Sequence, residues 1–237
     1  MREKTAIVTG ASSGIGLGIT RALLDRDYKV VAVARHSSPQ LPESARLTAI
    51  EGDVGHASTA EGALGAARRF GGLDLLVNNA GIFVAKPFTE HTSDDYLRIL
   101  STNVAGFFHM TQHALRLMVS AGGGHIVNIG TSLAGQPVAS LPSALTILTK
   151  GGIEAATRSL AIEYAGAGIR VNTIAAGIVD TPMHAPENHE FLKGLSPARR
   201  IGTVREMADA ILYLESATFV SGEILHVDGG AHAGKWS

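Results

Sequence analysis

Apolar residues recur along this chain in two alternating rhythms. Short runs rich in Val, Ile, Leu and Ala fall at 5–9, 29–34, 47–51, 73–78, 125–130, 170–175 and 224–227. Between them, apolar residues return at helical spacing near 15–26, 58–70, 93–119, 144–164 and 205–214. Most of the short runs are apolar at consecutive positions, the pattern of strands covered on both faces. Strands of that kind, alternating with helices, pair in parallel through right-handed crossovers. The expected fold is therefore α/β, a doubly wound parallel sheet of about seven strands sandwiched between helices. No linker or repeat interrupts the alternation, so 1–237 reads as a single domain. The one long irregular stretch, 177–203, carries three prolines and two histidines. A loop of that length inside a compact domain is usually functional.

Composition narrows the function classes. Twenty basic residues face twenty-one acidic ones, so no basic footprint for nucleic acid or an anionic membrane stands out. There is no cysteine, which excludes disulfides and thiolate metal sites, and the histidines show no metal-ligand spacing. The chain opens Met-Arg-Glu-Lys and passes directly into an apolar run, without a signal-type h-region. No apolar run approaches the roughly 20 residues that span a bilayer. A soluble cytoplasmic protein with a small-molecule substrate, no metal, no nucleic acid and no membrane partner is the expectation.

The first strand run ends at Thr9 and is followed at once by Gly10, Gly14 and Gly16, then by a helix. Glycines there permit a tight turn, close approach of backbone to phosphate and close helix–strand packing. The helix N-terminus adds unpaired N–H groups and a favourable dipole for an anion. Further motifs follow in chain order. Asp53-Val54 comes after the third run, Asn78-Asn79-Ala80-Gly81 after the fourth, and Asn103 within the long helical segment. Ser132 ends the fifth run and Lys150 lies on the next helix. The segment Ala176-Gly177-Ile178-Val179-Asp180-Thr181 and the closing Val227-Asp228-Gly229-Gly230 complete the series.

Taken together, these motifs resemble the short-chain dehydrogenase/reductase family over essentially the whole length. The resemblance implies a three-layer Rossmann fold and hydride exchange with a nicotinamide dinucleotide. It implies that Gly10, Ser12, Ser13, Gly14, Ile15 and Gly16 wrap the pyrophosphate, and that Asp53 and Val54 meet the adenine. Asn79, Ala80 and Gly81 would line the adenosine side. Gly177, Val179 and Thr181 would touch the nicotinamide, with Ala176 where the family has Pro, and Lys150 would hold the nicotinamide ribose. An acid about 20 residues past the glycine loop would select NAD. Ala34-Arg35-His36 stands there instead, so Arg35 favours NADP, with NAD the alternative and a solvated strand-end charge the plainer role for Arg35.

The family's catalytic set is incomplete here. By resemblance Asn103, Ser132 and Lys150 are catalytic, but the family places a Tyr four residues before the Lys, and this chain has Thr146. Its tyrosines are Tyr28, Tyr96, Tyr164 and Tyr213, none near that place. The interval from Ser132 to Thr146 is one residue longer than the family's usual spacing, which suggests a small insertion at 136–142. An aliphatic hydroxyl is a far weaker acid than a phenol of pKa about 10, and a neighbouring charge shifts a pKa by only about 1–3 units. Thr146 is therefore a candidate to orient a substrate or water, not to donate a proton. Three readings stay open. The chain is an oxidoreductase whose proton comes from Lys150 through water or from His184 or His189; it is a dinucleotide-binding sensor or assembly subunit with little activity; or its Tyr was deliberately replaced. Against the last, Leu145, Ile147 and Leu148 read as a native helix.

The stretch 183–203 falls where the family keeps a substrate lid, and its mixture of His184, His189, Phe191, Leu192 and Leu195 suits a modest, largely apolar substrate bearing an oxygen. Apolar stripes at Met110, His113, Leu117 and Met118, and at Ile153, Ala156, Leu160 and Tyr164, serve either core packing or assembly. By resemblance, a homotetramer or homodimer is expected.

Overall fold

The computed structural model describes residues 3–234. Seven strands form one fully parallel sheet in the order β3-β2-β1-β4-β5-β6-β7. They are β1 (Thr5–Thr9), β2 (Lys29–Ala34), β3 (Leu47–Glu51), β4 (Leu75–Asn78), β5 (Gly124–Thr131), β6 (Ile169–Ala176) and β7 (Ile224–Val227). All seven expected strands are present, within two residues at each end. The helices are α1 (Gly14–Leu24), α2 (Ala57–Arg69), α3 (Ser93–Ile99), α4 (Gly106–Ala121), α5 (Ala144–Glu163), α6 (His189–Lys193) and α7 (Val204–Ser216). No helix among the described residues is long and apolar enough to cross a membrane.

Two-residue alternation along the strands feeds two cores. Ala6 and Val8 of β1, with Val30 and Ala32 of β2, face a layer built by α1 and α7 through Ile19, Leu23, Met207 and Ile211. Ile7, Val31 and Val33 point the other way, onto Leu64 of α2 and Met110, Ala114 and Met118 of α4. Because both faces are covered, the central strands β1, β2 and β4 are almost wholly buried, whereas the edge strand β3 is not. The strand order reverses between β1 and β4, which opens a crevice at their carboxyl ends.

The expected continuous helix at 93–119 is two helices. Between α3 and α4 the chain widens into a π-helical turn, Leu100–Ala105. Such turns often mark functional positions, and this one turns Asn103 inward to 1% exposure. The stripes at 110–118 and 153–164 are chiefly core. Met110, Met118 and Ile153 are buried, and Leu117, Leu160 and Tyr164 pack partly against the same cluster. The irregular stretch 177–203 contains the short helix α6.

Candidate active site

At the strand-order reversal, hydrogen bonds tie β1 to the segment after β4. The Thr9 hydroxyl accepts from the N–H groups of Asn79 (3.0 Å) and Ala80 (2.9 Å). Asn79 Nδ2 in turn donates to the Thr9 carbonyl at 2.8 Å. The glycine loop then follows a path that side chains resist: Gly10 and Gly14 have φ of 65° and 52°. Gly16 is required for a different reason, since a Cβ there would lie 2.3 Å from the Gly10 carbonyl oxygen. Ser13 caps α1 without a side-chain hydrogen bond, so the first-turn N–H groups face the crevice unclaimed by a side chain.

A cavity of about 690 Å³ runs along this edge of the sheet, within the range of small-molecule and cofactor sites. Gly10, Ser12, Ser13, Gly14 and Ile15 line it from the loop, and Arg35, Asp53 and Val54 from the ends of the next strands. Asn79, Ala80 and Gly81 form the middle. Ser132, Lys150, Gly177, Val179 and Thr181 lie toward the other end. Four expected residues stand off the wall: His189 begins α6 without lining the cavity, Gly16 packs beneath the loop, and Asn103 and Thr146 lie behind it.

Each of these latter two has a definite occupation. Asn103 Oδ1 accepts from the Ile82 N–H at 2.9 Å, while its Nδ2 donates to the Ile82 carbonyl and to the Thr149 hydroxyl. The side chain thereby copies a strand partner for the segment that carries Gly81. Thr146 does the same one turn away. It is 0% exposed, and its hydroxyl accepts from Val84 N–H at 3.1 Å and donates to the Val84 carbonyl at 3.3 Å. Together they pin residues 82–84 against α5. Thr149, Ile82 and Val84 take part in this arrangement without being legible as site residues; only the three-residue spacing of Thr146 and Thr149 hints at a shared inner face.

Lys150 reaches the cavity floor. Its Nζ donates to the Ile129 carbonyl at 2.7 Å, leaving two of three ammonium protons to point elsewhere. A Cβ on Gly81 would meet Nζ at 3.0 Å, so the glycine makes room for the amine. Burial pushes the Lys150 pKa down to about 8, against the pull of Glu154.

A family model described as enoyl-(acyl carrier protein) reductase matches residues 10–232. The chain belongs to the short-chain dehydrogenase/reductase family. Among curated relatives, a 3-oxoacyl-[acyl-carrier-protein] reductase of Vibrio cholerae is 34% identical over 244 residues, covering 98% of each chain. The 2-(R)-hydroxypropyl-CoM dehydrogenase of Xanthobacter autotrophicus is 36% identical, covering 96% of this chain and 98% of its own. The solved 3-ketoacyl-(acyl-carrier-protein) reductase of Brucella melitensis, complexed with NADH, is 29% identical. It superimposes with a TM-score of 0.89 over 98% of this chain and 100% of that one. In this short-chain dehydrogenase/reductase the residue four before Lys150 is Thr146, whose hydroxyl is committed to the Val84 backbone.

Arg35 and His36 occupy the far end of the cavity with no acid at 34–37. Glu51, at the neighbouring strand end, is engaged with the Ser37 N–H at 2.7 Å. At the opposite end, Phe83, Leu133, Val138, Leu141, Met183 and Phe191 give the lining its apolar character.

Proposed function

We propose that this protein is an NADP(H)-dependent oxidoreductase that interconverts a carbonyl and an alcohol on a small, largely apolar substrate. One observation carries the reading. A single cavity joins a phosphate-type glycine loop, a cationic strand end, a lysine with donors to spare and an apolar chamber floored by Ser132. The residues fit a nicotinamide dinucleotide: bare backbone for the pyrophosphate, Arg35 for a 2′-phosphate, Gly177, Val179 and Thr181 beside the ring, and Lys150 for ribose hydroxyls. When bound, such a cofactor supplies or accepts hydride. Ser132 orients the substrate oxygen, Lys150 holds the ribose, and the apolar lid excludes water. Asn103 and Thr146 act as positioning residues, because both fix the segment that shapes the cavity's middle.

A second reading, a dinucleotide-binding protein with little turnover, is favoured by the commitment of Thr146 to Val84. Steady-state assays with NADPH or NADH and a panel of apolar ketones and aldehydes separate the two. Turnover with a clear NADPH preference is expected. Tight NADPH binding without turnover of any panel member would establish the second reading instead. In either case a homodimer or homotetramer is proposed, since family likeness coincides with exposed apolar residues on α4 and α5.

A further inference from the structure

The geometry points to His184, on the segment after Thr181, as the group that exchanges the proton with the substrate oxygen in place of the missing phenol. This rests on the oxidoreductase reading above. Moving hydride to or from a carbon requires a partner for the oxygen's proton. Thr146 is off the cavity wall with its hydroxyl occupied, and none of the four tyrosines lines the cavity. Among the described residues, six side chains with ionisable groups do line it. Arg35, His36 and Asp53 belong to the adenosine end by their strand positions. Asp228 is a poor candidate because its carboxylate is taken by the N–H groups of Gly230 and His232 and by the His232 ring. Lys150 is tied to the Ile129 carbonyl on the floor, where its spare donors suit ribose.

That leaves His184. Its main-chain N–H donates to the Thr181 carbonyl at 3.0 Å, a turn that sets its backbone just beyond the segment proposed to touch the nicotinamide. His184 lines the same cavity as Ser132 and the apolar residues Met183, Phe191 and Leu192. Three influences bear on its protonation. Partial burial, the largest, and His189 lower its pKa, while Asp180 raises it. The net shift is downward, so at neutral pH the ring is uncharged and an acceptor. In alcohol oxidation the O–H proton passes to the imidazole and the C–H electron pair leaves as hydride for the oxidised nicotinamide. The carbon–oxygen double bond forms from the O–H pair, and the imidazolium returns its proton to water. Reduction runs the same exchange backwards.

The test uses the full chain with NADP and cyclohexanol, menthol and benzyl alcohol as probes. For the fastest alcohol, His184→Gln is expected to lower kcat/KM by about 100-fold or more, with NADPH affinity changed less than twofold. The low-pH decline of the oxidation profile should vanish in the variant, and added imidazole should restore part of the rate. A second readout does not depend on turnover. Nitrogen–proton NMR of the His184 ring in the NADPH-bound protein should show its titration shifting as the probe alcohol saturates. Unchanged kcat/KM in His184→Gln, or a ring titration blind to bound alcohol, overturns the assignment while leaving the oxidoreductase reading intact. Absence of any coupled turnover in the unmodified protein overturns both.

Discussion

Thr146 illustrates how a single residue can look catalytic by position and be structural by contact. Both hydrogen-bonding groups of the Val84 backbone are satisfied by one hydroxyl at a site closed to water. Thr146→Val keeps the shape and removes both bonds, stranding a donor and an acceptor. The expected cost is about 1–3 kcal/mol, read as a lower denaturation midpoint with an unchanged slope, and NADPH affinity should fall as residues 82–84 loosen. Lys150 makes a pH-dependent case. Its pKa falls from 10.5 unfolded to about 8 folded, so between those values the unfolded chain holds the extra proton. Stability of the free protein therefore gains from this group as pH rises from about 8 to 10.5. Cofactor affinity should move oppositely, declining above about pH 8 as the ammonium loses a donor. Calorimetric titration of NADPH across that range checks the sign. Lys150, Ser132, Gly10 and Gly14, singled out by motif spacing, come together on one cavity wall. Val84 and Thr149 went unseen, because a side chain that pairs with a distant backbone group leaves no periodic trace.

At the scale of elements, the strands were legible because burial on both faces makes them continuous apolar runs. The break between α3 and α4 was not. Apolar spacing continues through 93–119, and the π-helical turn adds width with no proline, only Gly106 at its end where α4 begins. Its structural consequence is that the turn directs Asn103 onto Ile82 and Thr149. The β1–α1 turn is the opposite case, written openly in glycines. There, Gly16→Ala would press a methyl group to 2.3 Å from the Gly10 oxygen and 2.5 Å from Asn79 Nδ2. The loop must open to relieve that contact, and the cradle of N–H groups opens with it. NADPH binding should weaken at least tenfold while the far-ultraviolet circular dichroism is retained. Loss of helix signal would instead show that the substitution damages the fold as a whole.

Across the whole molecule, the two ends of the sheet do different work. The carboxyl end holds the cavity, whereas the amino end is closed by a charged network. Glu215 accepts from Lys4 at 2.7 Å, the Tyr28 hydroxyl at 2.8 Å and His125 Nδ1 at 2.9 Å. Burial alone would raise its pKa, but those donors outweigh it and hold the carboxyl down to about 2. Burial keeps His125 below its ordinary pKa as well, and Asn172 Nδ2 donating to its Nε2 matches a neutral ring. Both groups lose stability on the acid side. His125 contributes above about pH 6.5 and less below it, and Glu215's contribution fades as pH falls from 4.5 toward 2. Glu215→Gln should flatten that acid decline in urea unfolding measured from pH 7 to pH 3.

The sides of the sheet pose a separate question, because the apolar stripes read as either core packing or assembly are mostly core. Those facing outward are others: Phe108 on α4 is 51% exposed, and Leu148 and Ile162 on α5 are 63% and 82% exposed. Large apolar groups left bare on helices that also wall the core are costly unless another surface covers them. A symmetric contact along α4 and α5 would cover them and would also brace the helix that carries Thr146 and Lys150. The substitutions Phe108→Glu and Leu148→Glu, made together, change only exposed positions. They should leave the isolated subunit folded, and sedimentation velocity should then show it shifted from dimer or tetramer to monomer. NADPH affinity should also fall if the contact holds α5 in place. An unaltered sedimentation coefficient would show that these helices do not form the contact.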